Sequence, residues 1–254
     1  MTPPLFWIDS VPSVGQTAEL TGVEGHHALT VTRIRVGDQV LASDGLGTVA
    51  TCEVTDTSGK DRLVLRALDH TTVAAPTPRV TLVQALPKSE RSELVVELAT
   101  EAGVDRIVAW QSARCVTRWV GPRAEKGIAK WRMVARTAAK QSRRPCVPLV
   151  EGPAGTASVR SLVSDVVGGG GVVAVLHEDG ARSLADLPLN AANEVVLIVG
   201  PEGGIDPGEL EDFRALGGIP VALGPEVLRT STAAAVALGA IGVLTDRWAR
   251  GRDR

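Results

Sequence analysis

Three short stretches late in the chain carry residues able to clasp a ligand with main chain. Leu176-His177-Glu178, Gly200-Pro201-Glu202-Gly203-Gly204 and Leu223-Gly224-Pro225-Glu226-Val227-Leu228-Arg229 each follow an apolar run. Glycine lacks a Cβ, so its N–H and C=O can approach a flat ring closely. Three such turns at neighbouring strand ends could grip a nucleoside by its edges. No G-x-G-x-x-G follows the first strand of this region and no G-x-x-x-x-G-K-[ST] is present, so the pattern points to a nucleoside with little or no phosphate. Glu202 reads as the one buried acid of the set. Arg229 stands where it could help an anion. Thr230-Ser231-Thr232 offer hydroxyls to cap the helix that begins there.

A second chemistry is suggested by charge. The net charge is −2, yet residues 76–150 hold 14 basic and 6 acidic side chains, while the segments on either side are acidic. Within "KWRMVARTAAKQSRR", Arg132, Arg136, Lys140, Arg143 and Arg144 fall within an arc of roughly 120° at about 100° per residue, opposite Trp131, Val134, Ala135 and Ala138. Lys88, Arg91, Arg114, Arg118 and Arg123 share the same third of the chain. Phosphates relieve such a stripe of its self-repulsion. With no Tyr, two Phe and five Trp, broad single-strand stacking platforms are not expected, and backbone contact with folded RNA fits better.

Elements must hold these residues. From residue 80 onward, apolar runs alternate with helical patterns: strands at 80–86, "RIVAWQS", "GVVAVLHE", "EVVLIVG" and "IPVALG", and helices at 89–104, at "AEKGIAKWRMVARTAAKQS", and near 156–166, 207–216 and 230–247. This order predicts a mostly parallel sheet covered on both faces, and ligands of such sheets lie beyond the carboxyl ends of the strands. In the helix at 89–104, Leu94, Leu98 and Ala102 share one face. Residues 1–72 read instead as short strands separated by Gly37-Asp38, Asp44-Gly45 and Ser58-Gly59 turns, a small barrel. "GHHALTVTRIRVGD" interrupts it with a short helix, and residues 73–79 form the linker. The small residues from Ala233 to Ala240 suit close packing or a subunit interface.

Composition excludes other classes. No apolar stretch reaches the roughly 18 residues of a membrane span, and the first residues lack a signal-peptide pattern. Cys52, Cys115 and Cys146 match no zinc spacing and suit a reducing compartment, so the cytoplasm is expected and no metal is assigned. His26-His27 reads as structural.

At this point the motifs resemble a family. "QALPKSERSELVVELATEAGVDRIVAWQSARCV", "KWRMVARTAAKQSRRPCVP", "LIVGPEGGIDPGELE" and "VALGPEVLRTSTAAAVAL" look like the RsmE family, 16S ribosomal RNA uridine-N3 methyltransferases of the SPOUT class. The resemblance spans nearly the whole chain. It implies a PUA-like β-barrel (1–72) before a trefoil-knotted α/β methyltransferase domain (80–254), S-adenosylmethionine in the knot, and a homodimer packed through that region. It places the cofactor against Leu176 and His177, against Gly200, Pro201, Glu202, Gly203 and Gly204, and against Leu223 and Gly224. Val227, Leu228, Thr230, Ser231 and Ala233 complete that set. Arg229 becomes the stabiliser of charge on the target ring, Glu202 a cofactor contact or proton acceptor, and Arg33 and Arg35 join the stripe in gripping ribosomal RNA. One departure stands out: members commonly read LRTETA, whereas Ser231 here replaces the acid. Two rivals share these features: a SPOUT enzyme for another RNA nucleotide, and a non-catalytic RNA binder of the same fold.

Overall fold

A computed structural model of the chain describes residues 3–88 and 91–249. It divides into two compact units, one made of residues up to Ala75 together with Ala139–Val147, the other of Pro76–Ala138 and residues from Pro148 onward.

The first unit is a six-stranded sheet. Strands β1 (Leu5–Trp7), β3 (Gln39–Ser43), β4 (Thr48–Ser58), β5 (Arg62–Ala67) and β2 (Thr17–Leu20) follow one another across it, and β6 (Thr71–Thr72) pairs with β4. Alternation decides the faces: Ala50, Cys52 and Val54 of β4 and Leu63, Leu65 and Ala67 of β5 all point into one buried cluster. Phe6 of β1 and Leu20 of β2 enter the same cluster, so the two ends of the path curl toward each other. A bulge between Val54 and Asp56 sharpens the bend. Helix α1 (Gly22–His26) runs into a π-helical turn at His27–Val31, and Ala28 and Ile34 from this stretch also enter the cluster.

The outer face of β1 and β3 is covered by residues 139–147, a return that the sequence pattern did not announce. Leu5 and Trp7 pack there with Ala139 and Val147. The Pro145 carbonyl accepts from Ser43 Oγ and from Gly47 N–H, both at 3.1 Å, and Val147 N–H donates to Gly45 O at 2.9 Å. Lys140 Nζ meets Glu24 Oε2 at 2.7 Å and lies 4.8 Å from the Phe6 ring centroid.

The second unit is an all-parallel sheet. Its strands are β7 (Arg79–Ala85), β8 (Arg106–Gln111), β9 (Leu149–Gly155), β10 (Val172–Leu176), β11 (Glu194–Val199) and β12 (Ile219–Val221), in the order β12-β10-β11-β7-β8-β9. Val195 to Ile198 of β11 are fully buried, each such side chain contributing about 1.5–3 kcal/mol. Helices α2 (Ser92–Glu101), α3 (Pro122–Gln141), α4 (Thr156–Gly168), α5 (Pro207–Ala215) and α6 (Thr230–Leu244) connect or follow the strands. The chain lays β7, β8 and β9 outward in one direction. It then crosses over to β10, inserts β11 between β10 and β7, and adds β12 outside β10. The carboxyl ends of β10, β11 and β12 therefore lie side by side where the winding reverses, the place where such sheets bind ligands.

One expectation lies partly outside the described residues and one is corrected here. The start of the helix expected at 89–104 includes Ser89 and Glu90, which lie outside the described residues. In α2 itself the buried face is Val95, Val96, Ala99 and Thr100, while Leu94 is 39% exposed. Val95 and Ala99, each one position on from a leucine, set the face that packs inward, with Val96 and Thr100 beside them.

Candidate functional site

The turns after β10, β11 and β12, with the start of α6, enclose a cleft of about 590 Å³. Leu176, His177, Gly200 to Gly204, Leu223, Gly224, Val227, Leu228, Arg229, Thr230 and Ala233 line it, joined by Arg91 and Arg114. Seven further linings, Glu178, Val199, Ile205, Val221, Ala222, Pro225 and Glu226, were not assigned to the site from sequence. Glu178 and Glu226 sit inside the quoted motifs, so their position was available as a signal.

The turn after β11 is built for one shape. Gly204 adopts φ +73°, a left-handed conformation that other residues resist, and its N–H donates to Pro201 O at 2.9 Å. A Cβ on Gly200 would stand 2.7 Å from Ile205 Cγ1, so this glycine is needed for packing. A Cβ on Gly203 or Gly224 would meet nothing closer than 3.7 or 3.6 Å respectively. Protein packing does not demand bare backbone at those two points; a ligand in the cleft would. Among the described residues the N–H groups of Leu223, Gly224, Val227 and Leu228 donate to no protein acceptor, which leaves a row of main-chain donors free.

The hydroxyls at the start of α6 do not cap it. Arg229 is the cap residue (φ −66°, ψ 147°) and no side chain caps the helix; its carbonyl accepts from Thr232 and Ala233 N–H. Thr230 is buried and looks the other way: Oγ1 donates to Gly200 O at 2.7 Å and accepts from Gln84 Nε2 at 3.0 Å. It thus ties the ends of β7 and β11 to α6. Ser231 is 1% exposed, does not line the cleft, and accepts from Arg91 Nη1 at 3.3 Å. Arg229 is exposed, and its guanidinium makes no hydrogen bond or ion pair among the described residues. His177 Nδ1 accepts from Asp179 N–H at 3.2 Å.

The acids are placed differently from the expectation. Glu202 is exposed rather than buried; the turn turns its polar side to solvent, and Oε1 accepts from Lys88 N–H at 3.0 Å. Lys88 therefore meets the site through its backbone. The buried acid is Glu209, 7% exposed, whose Oε1 accepts from Thr156 Oγ1 at 2.6 Å and Ala113 N–H at 2.9 Å. It fixes the segment carrying Arg114, and Arg114 Nη1 in turn donates to Gly203 O at 3.1 Å with Nε 3.6 Å from Asp206. Asp206 caps α5 through Gly208 N–H.

The basic stripe is less uniform than its spacing suggested. Lys140 is half-buried in the Glu24 contact, because Glu24 and the Phe6 ring offer that cation partners inside the first unit. Arg132 donates from Nε to Val150 O at 3.0 Å. Arg144 is half-buried, while Arg33, Arg35, Arg136 and Arg143 are exposed. Arg118 donates to the carbonyls of Ser112 and Ala113. Only Arg91 and Arg114 of the residues assigned to RNA line the cleft. Among the described residues no cluster of metal-ligating side chains occurs, and no helix is long and apolar enough to cross a membrane.

Residues 74–242 match the RNA methyltransferase domain family, and residues 20–68 the RNA methyltransferase PUA domain family. The chain is 51% identical over 244 residues to the ribosomal RNA small subunit methyltransferase E of Mycobacterium bovis, covering 96% of this chain and 93% of that one. It is 30% identical over 240 residues to the protein of the same name from Bacillus subtilis, covering 91% of each. A crystal structure of a ribosomal RNA small subunit methyltransferase E from Neisseria gonorrhoeae bound to S-adenosyl methionine superposes with a TM-score of 0.83 at 28% identity, over 96% of this chain and 98% of that one.

Proposed function

The chain belongs to the ribosomal RNA small subunit methyltransferase E family, and on that footing we propose that it methylates N3 of a uridine in 16S RNA of the small ribosomal subunit, with S-adenosylmethionine as donor. The observation that carries this reading is the cleft at the β10, β11 and β12 ends, with its free main-chain donors and its two glycines that packing does not require. Its volume of about 590 Å³ falls in the range of small-molecule sites.

The residues fit the donor. The main chain of Leu223, Gly224, Val227 and Leu228 presents the N–H groups an adenine edge needs, and Leu176 and Leu223 supply apolar walls. Ala233 leaves room at the foot of α6, and Glu178 and Glu226 set carboxylates where ribose hydroxyls or a positive group are favoured. S-adenosylmethionine supplies a methyl group already activated on a sulfonium, so the electrophile is the cofactor's own. The chain has to position the uridine and manage its proton. The target base leaves its stack to enter the cleft, and holding N3 in line with the methyl carbon lowers the barrier by several kcal/mol, up to roughly 7–11 in favourable cases. Loss of the N3 proton spreads negative charge over the ring and its carbonyl oxygens. Arg229, exposed at the cleft and free of protein partners, stabilises that charge. Glu202 holds one oxygen against Lys88 N–H and keeps the other available to take the proton.

The protein works in the cytoplasm as a homodimer. Support for the dimer is the exposed apolar side of α6, where Val236 is 46%, Val243 76% and Leu244 37% exposed. Arg33, Arg35, Arg136 and Arg143 grip RNA backbone. Mass spectrometry of nucleosides from small-subunit RNA of a deletion strain tests the reading: 3-methyluridine disappears and returns on complementation. Its persistence in the deletion strain overturns the assignment.

A further inference from the structure

Arg91 is the half-buried cation of the cleft that pairs with no carboxylate among the described residues. Arg114 is taken up by Gly203 O and Asp206, and Arg229 reaches into open solvent. The Arg91 guanidinium makes one hydrogen bond among the described residues, to the neutral Ser231 hydroxyl at 3.3 Å, and no ion pair. A guanidinium carries five N–H donors in a planar fork, so most of its capacity is unused. Ser231, 1% exposed, anchors one arm of the fork from behind while the rest of the side chain lines the cleft. A partly desolvated cation held in this way gains from an anion brought in from outside.

We propose that Arg91 is a phosphate subsite, taking one backbone phosphate of the RNA strand whose base enters the cleft. The identity of that strand rests on the methyl-transfer reading; the unanswered charge does not. The donor's carboxylate is a poorer occupant. Its ammonium sits on the adjacent carbon, so Arg91 would attract one group and repel the other, whereas a phosphodiester brings net negative charge alone. The neutral residue at 231 is what leaves the subsite open. An acid at that position would pair with the guanidinium and cancel its charge.

The test is filter binding of an unmethylated small-subunit ribosomal RNA transcript across a salt series, for the full-length wild type, R91Q, R91K and S231E. The affinity of each for S-adenosylhomocysteine is measured in parallel by calorimetry. R91Q is expected to weaken RNA binding about tenfold and to reduce the salt slope by about one, the signature of one lost phosphate contact. S231E reproduces that loss by tying up Arg91, while R91K keeps the slope because a lysine still meets phosphate as a point charge. S-adenosylhomocysteine affinity stays within about twofold throughout. An unchanged slope in R91Q overturns the proposal. So does a loss of S-adenosylhomocysteine affinity in R91Q with the RNA slope intact, which would put the donor's carboxylate on Arg91. A wild type that binds the transcript but not S-adenosylhomocysteine refutes the methyl-transfer reading and leaves the phosphate subsite to be decided by the R91Q slope.

Discussion

Replacing Thr230 by Val removes one hydroxyl and keeps the branched shape, and the structure says what that hydroxyl does. It donates to Gly200 O at 2.7 Å and accepts from Gln84 Nε2 at 3.0 Å. Each hydrogen bond contributes a net 0.5–1.5 kcal/mol, so the two together set a loss of about 2 kcal/mol. Gln84 Nε2 keeps its bond to Ala85 O, which prevents a larger penalty there. For a unit of this size, 1 kcal/mol corresponds to about 2–4 °C in Tm, so T230V should melt about 4–8 °C lower by circular dichroism. The Gly200 turn loses its tie to α6, and affinity for S-adenosylhomocysteine, read by calorimetry, should fall about tenfold. T230S keeps the hydroxyl and should recover most of both losses. A T230V protein that melts within 1 °C of wild type and binds the nucleoside equally well would show that the relay from β7 through Thr230 to β11 holds nothing in place.

Other perturbations give separate readouts. Arg229→Ala should retain S-adenosylhomocysteine affinity and lose about 10²–10³ in kcat, the usual cost of removing one donor to developing negative charge; methyl transfer at the wild-type rate would remove Arg229 from the mechanism. Arg247→Met breaks a buried pair, since Arg247 Nη1 meets Asp105 Oδ2 at 2.8 Å with side chains 7% and 13% exposed. A loss of about 3–5 kcal/mol in urea unfolding is expected, relieved when Asp105→Asn is added; an unchanged midpoint would contradict it. Burial, with a smaller contribution from the Asp69 carboxylate, pushes the Cys52 thiol up from its ordinary value near 9 to about 11. Its folded form therefore keeps the proton between pH 9 and 11 while the unfolded form loses it, so the stability contribution is complete below pH 9 and fades as pH rises through that window. The loss approaches about 2–3 kcal/mol, and Cys52→Ala should unfold with a flatter dependence across the same range; parallel curves for the two proteins would rule this out.

The fold class expected from the sequence, an α/β SPOUT-type methyltransferase domain preceded by a PUA-like domain, is the one the chain has. It was legible because Val195 to Val199 and its companions are continuous apolar runs, and only a sheet covered on both faces buries such runs. The clustering of the three turns followed from the general rule for parallel sheets. Strand β9 escaped notice because Gly152, Pro153 and Gly155 argue against a strand anywhere but at an edge, and the edge is where β9 lies. Side-chain partners were the least legible. Nothing local distinguishes Glu202, exposed in its turn, from Glu209, buried in α5. Nothing in the spacing of Lys140 reveals Glu24, 116 positions away. Hydroxyls at a helix start suggest caps, and only the neighbouring strand ends show that Thr230 serves Gly200 instead.

The return of residues 139–147 to the first unit also orders events during synthesis. When Ala75 has been made, the outer side of β1 and β3 still lacks Ala139, Val147 and the Pro145 carbonyl that close it. About 70 further residues must be added first, a wait of roughly 4–14 s at 5–20 residues per second. Over that interval Leu5 and Trp7 stay uncovered on the nascent polypeptide, and a fragment truncated near residue 75 would keep them so permanently, with poor solubility as the expected result.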